Sequence, residues 1–393
     1  MTPTTLLWLV TGCLMLQPLS TDLYLASLPG MASDFAVSPA AVQQTLSLFV
    51  IGFGSAQLVS GPLSDRYGRR PVLIGGLSVY LLSGVACALA PSLDWLVAAR
   101  FAQAIGCCTA VVVARAVIRD AYSPAEGARV LAKASSLLAL APILGPILGG
   151  YLQVTFGWRA AFVALASAGL LVWIGAWRSM KESNSRPNPD AMRPRSLVRT
   201  YLGVVRTPAF WAYALPGAIS YAAIFVFISG TPFVLIRVLG VATQYYGYLF
   251  AFGVCGYLSG TLICRRLLGR IGISGALTLG TTIGLIGGLG FLGLVLADVR
   301  HWALVVTAQF LVMTSHGINF PCAQSGSLAP FPQQAGAAAG LFGCITMIAA
   351  LLAGMWVGAS YDGTLLPMAT ISATVTLTLF ALTRLLARHG KTE

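Results

Sequence analysis

The sequence predicts an all-α membrane protein of twelve transmembrane helices in two pseudo-symmetric six-helix bundles, with both chain ends on the cytoplasmic side. Three observations point there. Apolar stretches of about twenty residues, the length a helix needs to cross the hydrocarbon core, follow one another along the chain. The composition is 57% hydrophobic and 9% charged, where soluble domains carry about 25% charged residues, so a water-facing surface cannot be built from it. Lys and Arg, finally, concentrate in alternate loops.

The spans fall near residues 5–28, 41–63, 71–91, 95–118, 128–154, 158–178, 209–236, 243–267, 273–297, 301–322, 333–359 and 365–387. The first lacks a basic leader and runs past Pro18 to Leu28, so it reads as a retained span and not a cleaved signal. Basic loops stay cytoplasmic. With both termini inside, every one of the 24 Lys and Arg residues except Arg100, Arg159, Arg237 and Arg300 lies on an inner loop or the tail. The one long polar stretch, 179–207, has no apolar periodicity and is read as a cytoplasmic linker between a bundle of residues 1–178 and a bundle of residues 208–393. Gly68-Arg69 after the second span is echoed by Gly269-Arg270 after the eighth.

The net charge of +13 is dispersed between apolar segments, which fits topogenesis and not nucleic-acid binding. All eight cysteines lie in apolar segments without CxxC spacing, and the three histidines form no metal pattern, so no metal or cofactor is expected. No GxxxxGK[ST] loop is present for an ATP-driven pump, and no nucleophile with a base suggests an enzyme.

After the second span the chain reads Gly61-Pro62-Leu63-Ser64-Asp65-Arg66-Tyr67-Gly68-Arg69-Arg70-Pro71. This resembles the signature loop of the major facilitator superfamily almost position for position. Arg100-x-x-Gln103-x-x-Gly106 in span four is similar to that superfamily's second motif, and Gly145-Pro146-Ile147-Leu148-Gly149-Gly150 in span five resembles its antiporter motif. Finer features resemble the Bcr/CflA drug-resistance subfamily: Ser20-Thr21-Asp22-Leu23-Tyr24, Arg115-Ala116-Val117-Ile118-Arg119-Asp120, and Pro330-Phe331-Pro332 followed by Ala335-Gly336. Ala26 departs from the proline common there. The resemblance implies the major facilitator fold and a monomer of the bacterial inner membrane. It also implies alternating access that exchanges protons for small amphipathic organic molecules such as bicyclomycin and chloramphenicol, driven by the proton gradient alone. The alternative is a proton-independent facilitator, or an exporter of an endogenous metabolite.

Asp22 is the most informative residue. A carboxylate inside a span costs about 2.5–3.5 kcal/mol on insertion scales, so it faces a partner or a wet cavity. At about 1.5 Å per residue, Asp22 and Arg100 both lie roughly 8–9 Å below the outer boundary. Burial disfavours an ionised carboxyl group and a nearby guanidinium favours it, so Asp22 and Arg100, meeting directly or bridged by a polar group, are expected to couple protons as a movable pair; the alternative is a static pair joining two helices. Gln103 is an orienting donor, a substrate contact or a packing amide. Gly61, Asp65, Arg66, Gly68, Arg69 and Asp120 are read as the cytoplasmic gate, with Arg69 facing Asp120, and with Asp65 either capping the start of a short helix or facing the N-terminal end of another, which the resemblance places in span eleven; the alternative is a purely topogenic role. Pro142, Gly145, Pro146 and Gly149 predict a kinked, closely packed helix that serves as a hinge or as a simple crossing point. Tyr213, Tyr221, Phe225, His316 and Asn319 are candidates for the substrate cavity, with packing as the competing role.

Overall fold

A computed structural model describes residues 3–138, 140–184 and 187–389. Arg186 and Lys391, counted above with the inner basic residues, lie outside them. The described residues are helical and contain no strand: α1 (Pro3–Asp22), α2 (Leu28–Asp34), α3 (Pro39–Tyr67), α4 (Arg69–Ala88), α5 (Leu93–Ala121), α6 (Pro124–Leu138), α7 (Ala141–Phe156), α8 (Arg159–Ser179), α9 (Pro194–Val205), α10 (Pro208–Thr231), α11 (Thr243–Leu296), α12 (Trp302–Leu328), α13 (Ala335–Ser360) and α14 (Leu366–His389). Among them, ten helical stretches are long and apolar enough to cross a membrane.

Local chemistry sets the ends. Ser38 and Ser92 accept hydrogen bonds from Ala41 N and Trp95 N at the starts of α3 and α5, which satisfies amides that have no partner inside the helix. Pro39 and Pro208 occupy first-turn positions where a missing N–H costs nothing.

The structure departs from the predicted spans in four places. The first helix stops at Asp22, and a short 3-10 turn, Leu25–Ser27, precedes α2. The fifth predicted span is divided between α6 and α7, with residue 139 outside the described residues. The eighth and ninth run together as α11, broken only by non-helical Gly272 (φ 64°, ψ −177°). The fourth departure corrects the reading of 179–207 as aperiodic: Leu197, Tyr201 and Val204 recur at i, i+4 and i+7 along the inner side of α9. Their signal was diluted by four arginines between 193 and 206.

Packing partners sort into two groups. α3 and α4 pack on α5, α4 on α8, and α1 on α5, α7 and α8; later in the chain α11 packs on α12 and α14, and α10 on α12, α13 and α14. The main contacts between the groups are α3 with α13 and α7 with α11. Both need small residues. A Cβ on Gly54 of α3 would stand 2.7 Å from Met347 Cβ of α13, and one on Gly247 of α11 would run into the backbone of Pro146 and Ile147 in α7. Gly149 meets the carbonyl of Leu23 in the same way.

Overpacking a tight contact costs about 1–3 kcal/mol. Gly149→Leu is therefore expected to lower the thermal unfolding midpoint in detergent by several degrees, while a leucine at Gly290, where a Cβ meets nothing within 4 Å, leaves it unchanged.

Candidate functional site

Arg100 is fully buried. Its Nη1 donates to Gln103 Oε1 at 2.6 Å and its Nη2 to the carbonyl of Ser20 at 2.8 Å. The rings of Phe49, Tyr24 and Phe162 surround the guanidinium with centroids at 4.2, 4.6 and 5.7 Å, an electrostatically favourable enclosure for a cation. The last carbonyls of a helix lack partners within it and form its negative end. Arg100 thus caps α1 from α5, and this explains why the helix can stop inside the protein. Around it Ser20 Oγ meets the Tyr80 hydroxyl at 2.8 Å and Tyr24 meets Thr45 Oγ1 at 3.1 Å.

Asp22 follows two residues later. Its Oδ1 accepts from Thr21 Oγ1 at 2.8 Å. Among the described residues, no ion pair joins it to Arg100. Direct contact, one of the two arrangements expected, is therefore not made in this conformation: the guanidinium is held behind α1 by a carbonyl and an amide, and Asp22 turns to the other side. There it lines a cavity of about 920 Å³. Gly145 of α7 lies against it, since a Cβ there would stand 3.6 Å from Asp22 Cβ. Pro142 also lines the cavity, while buried Pro146 and Gly149 pack away from it.

The cavity extends from Asp22 down to Asp65, Arg69 and Arg119. Beyond Asp22 the molecule is closed. Arg237 Nη2 donates to Pro29 O and Ser33 Oγ at 2.5 and 2.6 Å, Tyr151 and Tyr248 share a hydrogen bond at 3.1 Å, and Gln43 Nε2 donates to Ser229 O at 3.1 Å. Of the residues expected in the cavity, Tyr221 and His316 line it. Their rings lie 5.7 Å apart, and His316 Nδ1 shares a hydrogen bond with Ser220 Oγ at 3.0 Å. Gln103, Tyr213, Phe225 and Asn319 do not line it. Gln103 accepts from Arg100 through Oε1, Tyr213 covers Gly326, Phe225 packs on Gly354, and Asn319 donates to Ser315 at 3.0 Å beside Gly280. Each faces a glycine-lined helix contact or a polar partner within its own group, which helix spacing alone does not distinguish from a cavity. Gln17, Tyr257 and Phe320 line the cavity and were missed; Gln17 and Phe320 stand one helical turn from Thr21 and His316, on the same faces.

At the far end, Gly68 (φ 98°) turns the chain from α3 into α4. Arg69 is buried, with Nε on Asp120 Oδ2 at 2.8 Å, and with Nη1 on Asp65 Oδ1 at 2.5 Å and Ser64 Oγ at 2.7 Å. The expected Arg69–Asp120 contact is thus present. Asp65 faces Arg69 through Oδ1. Gly61 lines the cavity beside it, and Arg66 lies over the ring of Tyr67.

Glu182, which the sequence did not single out, accepts from the amides of Arg69, Arg70, Ser183 and Asn184 at 2.8 to 3.0 Å. Its carboxylate caps the positive end of α4. Partial burial opposes the charge, but the four N–H donors outweigh it and hold the acid below its ordinary range. A side chain on Gly68 would stand 2.6 Å from Glu182 Oε2.

Two outcomes follow. Arg100→Met strands the Ser20 carbonyl and the Gln103 amide, at about 1–3 kcal/mol for each buried polar group left unpaired, and should lower the melting temperature more than Arg100→Lys, which can still reach one partner. Because the Glu182 carboxyl is depressed in the folded chain, linker docking is complete above the usual glutamate range and is lost as pH falls through the lower, folded value. The protection of the amides of residues 180–184, measured against their intrinsic exchange rate at each pH, should therefore fall on acidification in the native protein and be weak at neutral pH in Glu182→Gln.

A family model described as the Major Facilitator Superfamily matches residues 10–354. A bicyclomycin resistance protein homolog of Haemophilus influenzae is 28% identical over 380 residues, 96% of this chain and 95% of that protein. A chloramphenicol resistance protein of Pseudomonas aeruginosa is 29% identical over 337 residues, 84% and 78% of the two chains. Among solved structures, a D-xylose–proton symporter superimposes with a TM-score of 0.75 at 14% identity, covering 96% of this chain and 97% of its own. A cavity between two helix groups, the arginine-centred turn after α3 and a match along most of the chain agree: the protein belongs to the major facilitator superfamily, and is a multi-pass transporter of the bacterial inner membrane, not an enzyme.

Proposed function

We propose that the chain exports small amphipathic organic molecules in exchange for protons by alternating access. One observation carries this reading. The only acids among the described residues that line the cavity are Asp22 and Asp65, and Asp65 is paired with Arg69, so Asp22 is the cavity carboxyl group without a cationic partner and within reach of cargo and water. Relatives named for bicyclomycin and chloramphenicol resistance support a drug as the cargo. The cavity walls suit an amphipathic molecule, with Phe53, Tyr221 and Phe320 beside Gln17 and His316.

In this reading twelve spans form bundles of residues 1–178 and 208–393, linked through 179–207, with both termini cytoplasmic. The cavity then faces inward. A proton taken up by Asp22 from outside is released here, and cargo binds in its place. An ionised Asp22 competes with the Ser20 carbonyl for the guanidinium two residues away, and α7, which touches both Asp22 and α11, passes the change to the closed end of the cavity. Because Nη1 and Nη2 of Arg100 are held by Gln103 and Ser20 in this conformation, a facilitator with no proton step is the second reading.

Everted vesicles with an imposed pH gradient separate the two. The native chain should accumulate chloramphenicol or bicyclomycin, and a protonophore should abolish accumulation. Asp22→Asn should insert normally and lose gradient-driven uptake at least tenfold while retaining exchange. Gradient-driven uptake by Asp22→Asn at the native rate removes Asp22 from the mechanism; protonophore-insensitive transport by the native chain establishes the facilitator.

A further inference from the structure

Helix α9 belongs to no bundle and sits at the entry to one. Arg206 ends it, Thr207 follows, and Pro208 begins α10. The indole of Trp211 in the first turn of α10 donates to the carbonyl of Val205 at 2.7 Å. So short and braced a connection fixes α9 at the level where α10 enters the membrane.

Its two sides differ. The inner side packs through buried Val204, and Leu197, Thr200 and Tyr201 line the mouth of the large cavity. Tyr201 also donates to the carbonyl of Leu58 on α3 at 2.8 Å. At about 100° per residue, Arg195, Arg199 and Arg206 fall within about 40° of one another on the outer side, and Val198, Leu202 and Val205 fill the adjoining 60° or so. All six are exposed. None of the three arginines is in an ion pair among the described residues, whereas nearby Arg193 is satisfied by Asp190 at 2.9 Å. The three surround a cleft of about 620 Å³ that Gln334, just before α13, closes on one side.

A stripe of unpaired arginines beside a stripe of exposed aliphatic side chains is poorly suited to water on one edge and to hydrocarbon on the other. It fits the bilayer boundary, where anionic headgroups meet cations and the first methylenes meet apolar side chains. We propose that the outer side of α9 is a docking surface for anionic phospholipid of the adjacent leaflet. A phosphate diester enters the cleft between Arg195, Arg199 and Arg206, and Val198, Leu202 and Val205 enter the acyl border. Because the opposite side of the same helix lines the cavity mouth and holds α3 through Tyr201, lipid seated there steadies the entrance. The inference does not depend on cargo or on proton coupling.

Native mass spectrometry of the purified full chain, titrated with phosphatidylglycerol or with phosphatidylcholine of the same acyl length, tests it. The native protein should retain phosphatidylglycerol at least fivefold more than phosphatidylcholine, and the excess should fall in high salt. The variant R195Q/R199Q/R206Q should lose most of that excess, and R195K/R199K/R206K should keep about half or more, which separates loss of charge from loss of the helix. Equal retention of the two lipids by the native chain, or an undiminished excess in the glutamine variant with an unchanged melting temperature, overturns the proposal. So does suppression of the excess by millimolar inorganic phosphate alone, because the cleft would then be a site for a free anion.

Discussion

A guanidinium buried without a carboxylate partner organises the first half of this transporter. Arg100 gives one of its hydrogen bonds to the open end of a helix, an acceptor that carries partial negative charge without itself being able to take up a proton. The capped helix can end inside the protein. Its next residues, Thr21 and Asp22, are thereby delivered to the head of the cavity, and the backbone beyond, at Leu23, becomes the surface on which Gly149 rests. Remove the charge and the end of α1 loses its partner, the carboxyl group its position, and α7 its platform.

Close approach of backbones supplies the rest. Helices in lipid gain little from burying apolar surface against each other, so small residues and polar pairs decide which faces meet. Here Gly149 faces α1, and Gly247 of α11 faces α7, so a single helix carries contacts to both groups on the closed side of the cavity. On the other side the ion pairs of Arg69 stay within residues 64–120, and the groups meet where Gly340 and Gly343 of α13 rest on Gln57 of α3.

The membrane-spanning character of the chain, the motif-bearing turn after α3 and the contact of Arg69 with Asp120 were legible in the sequence because each leaves a local mark: length of apolar run, or charge at fixed spacing. Asp22 was legible because an intramembrane acid is rare. Its separation from Arg100 was not, since equal depth in two helices says nothing about which way each side chain turns. Asn319 and Phe225 were misplaced for a related reason. A polar or aromatic residue in a span can satisfy itself against a neighbouring glycine contact as readily as against a cavity, and the choice depends on helix rotation, which one sequence does not encode locally. Glu182 and α9 were hidden by a polar composition that read as unstructured, although their partners are backbone amides and helix faces that any sequence presents.

The anchoring of the linker limits travel. Glu182 on α4 and the amide of Asn188 on Asp65 tie this part of the linker to the first group, and α9 from Pro194 onward packs on α10 and α13. Only residues 189–193 are left as slack, about 17 Å of chain when fully drawn out. A short leash of this kind sets an upper bound on any rocking that parts the halves on this face, so the stroke of the machine is limited by chain length as well as by the shapes that meet.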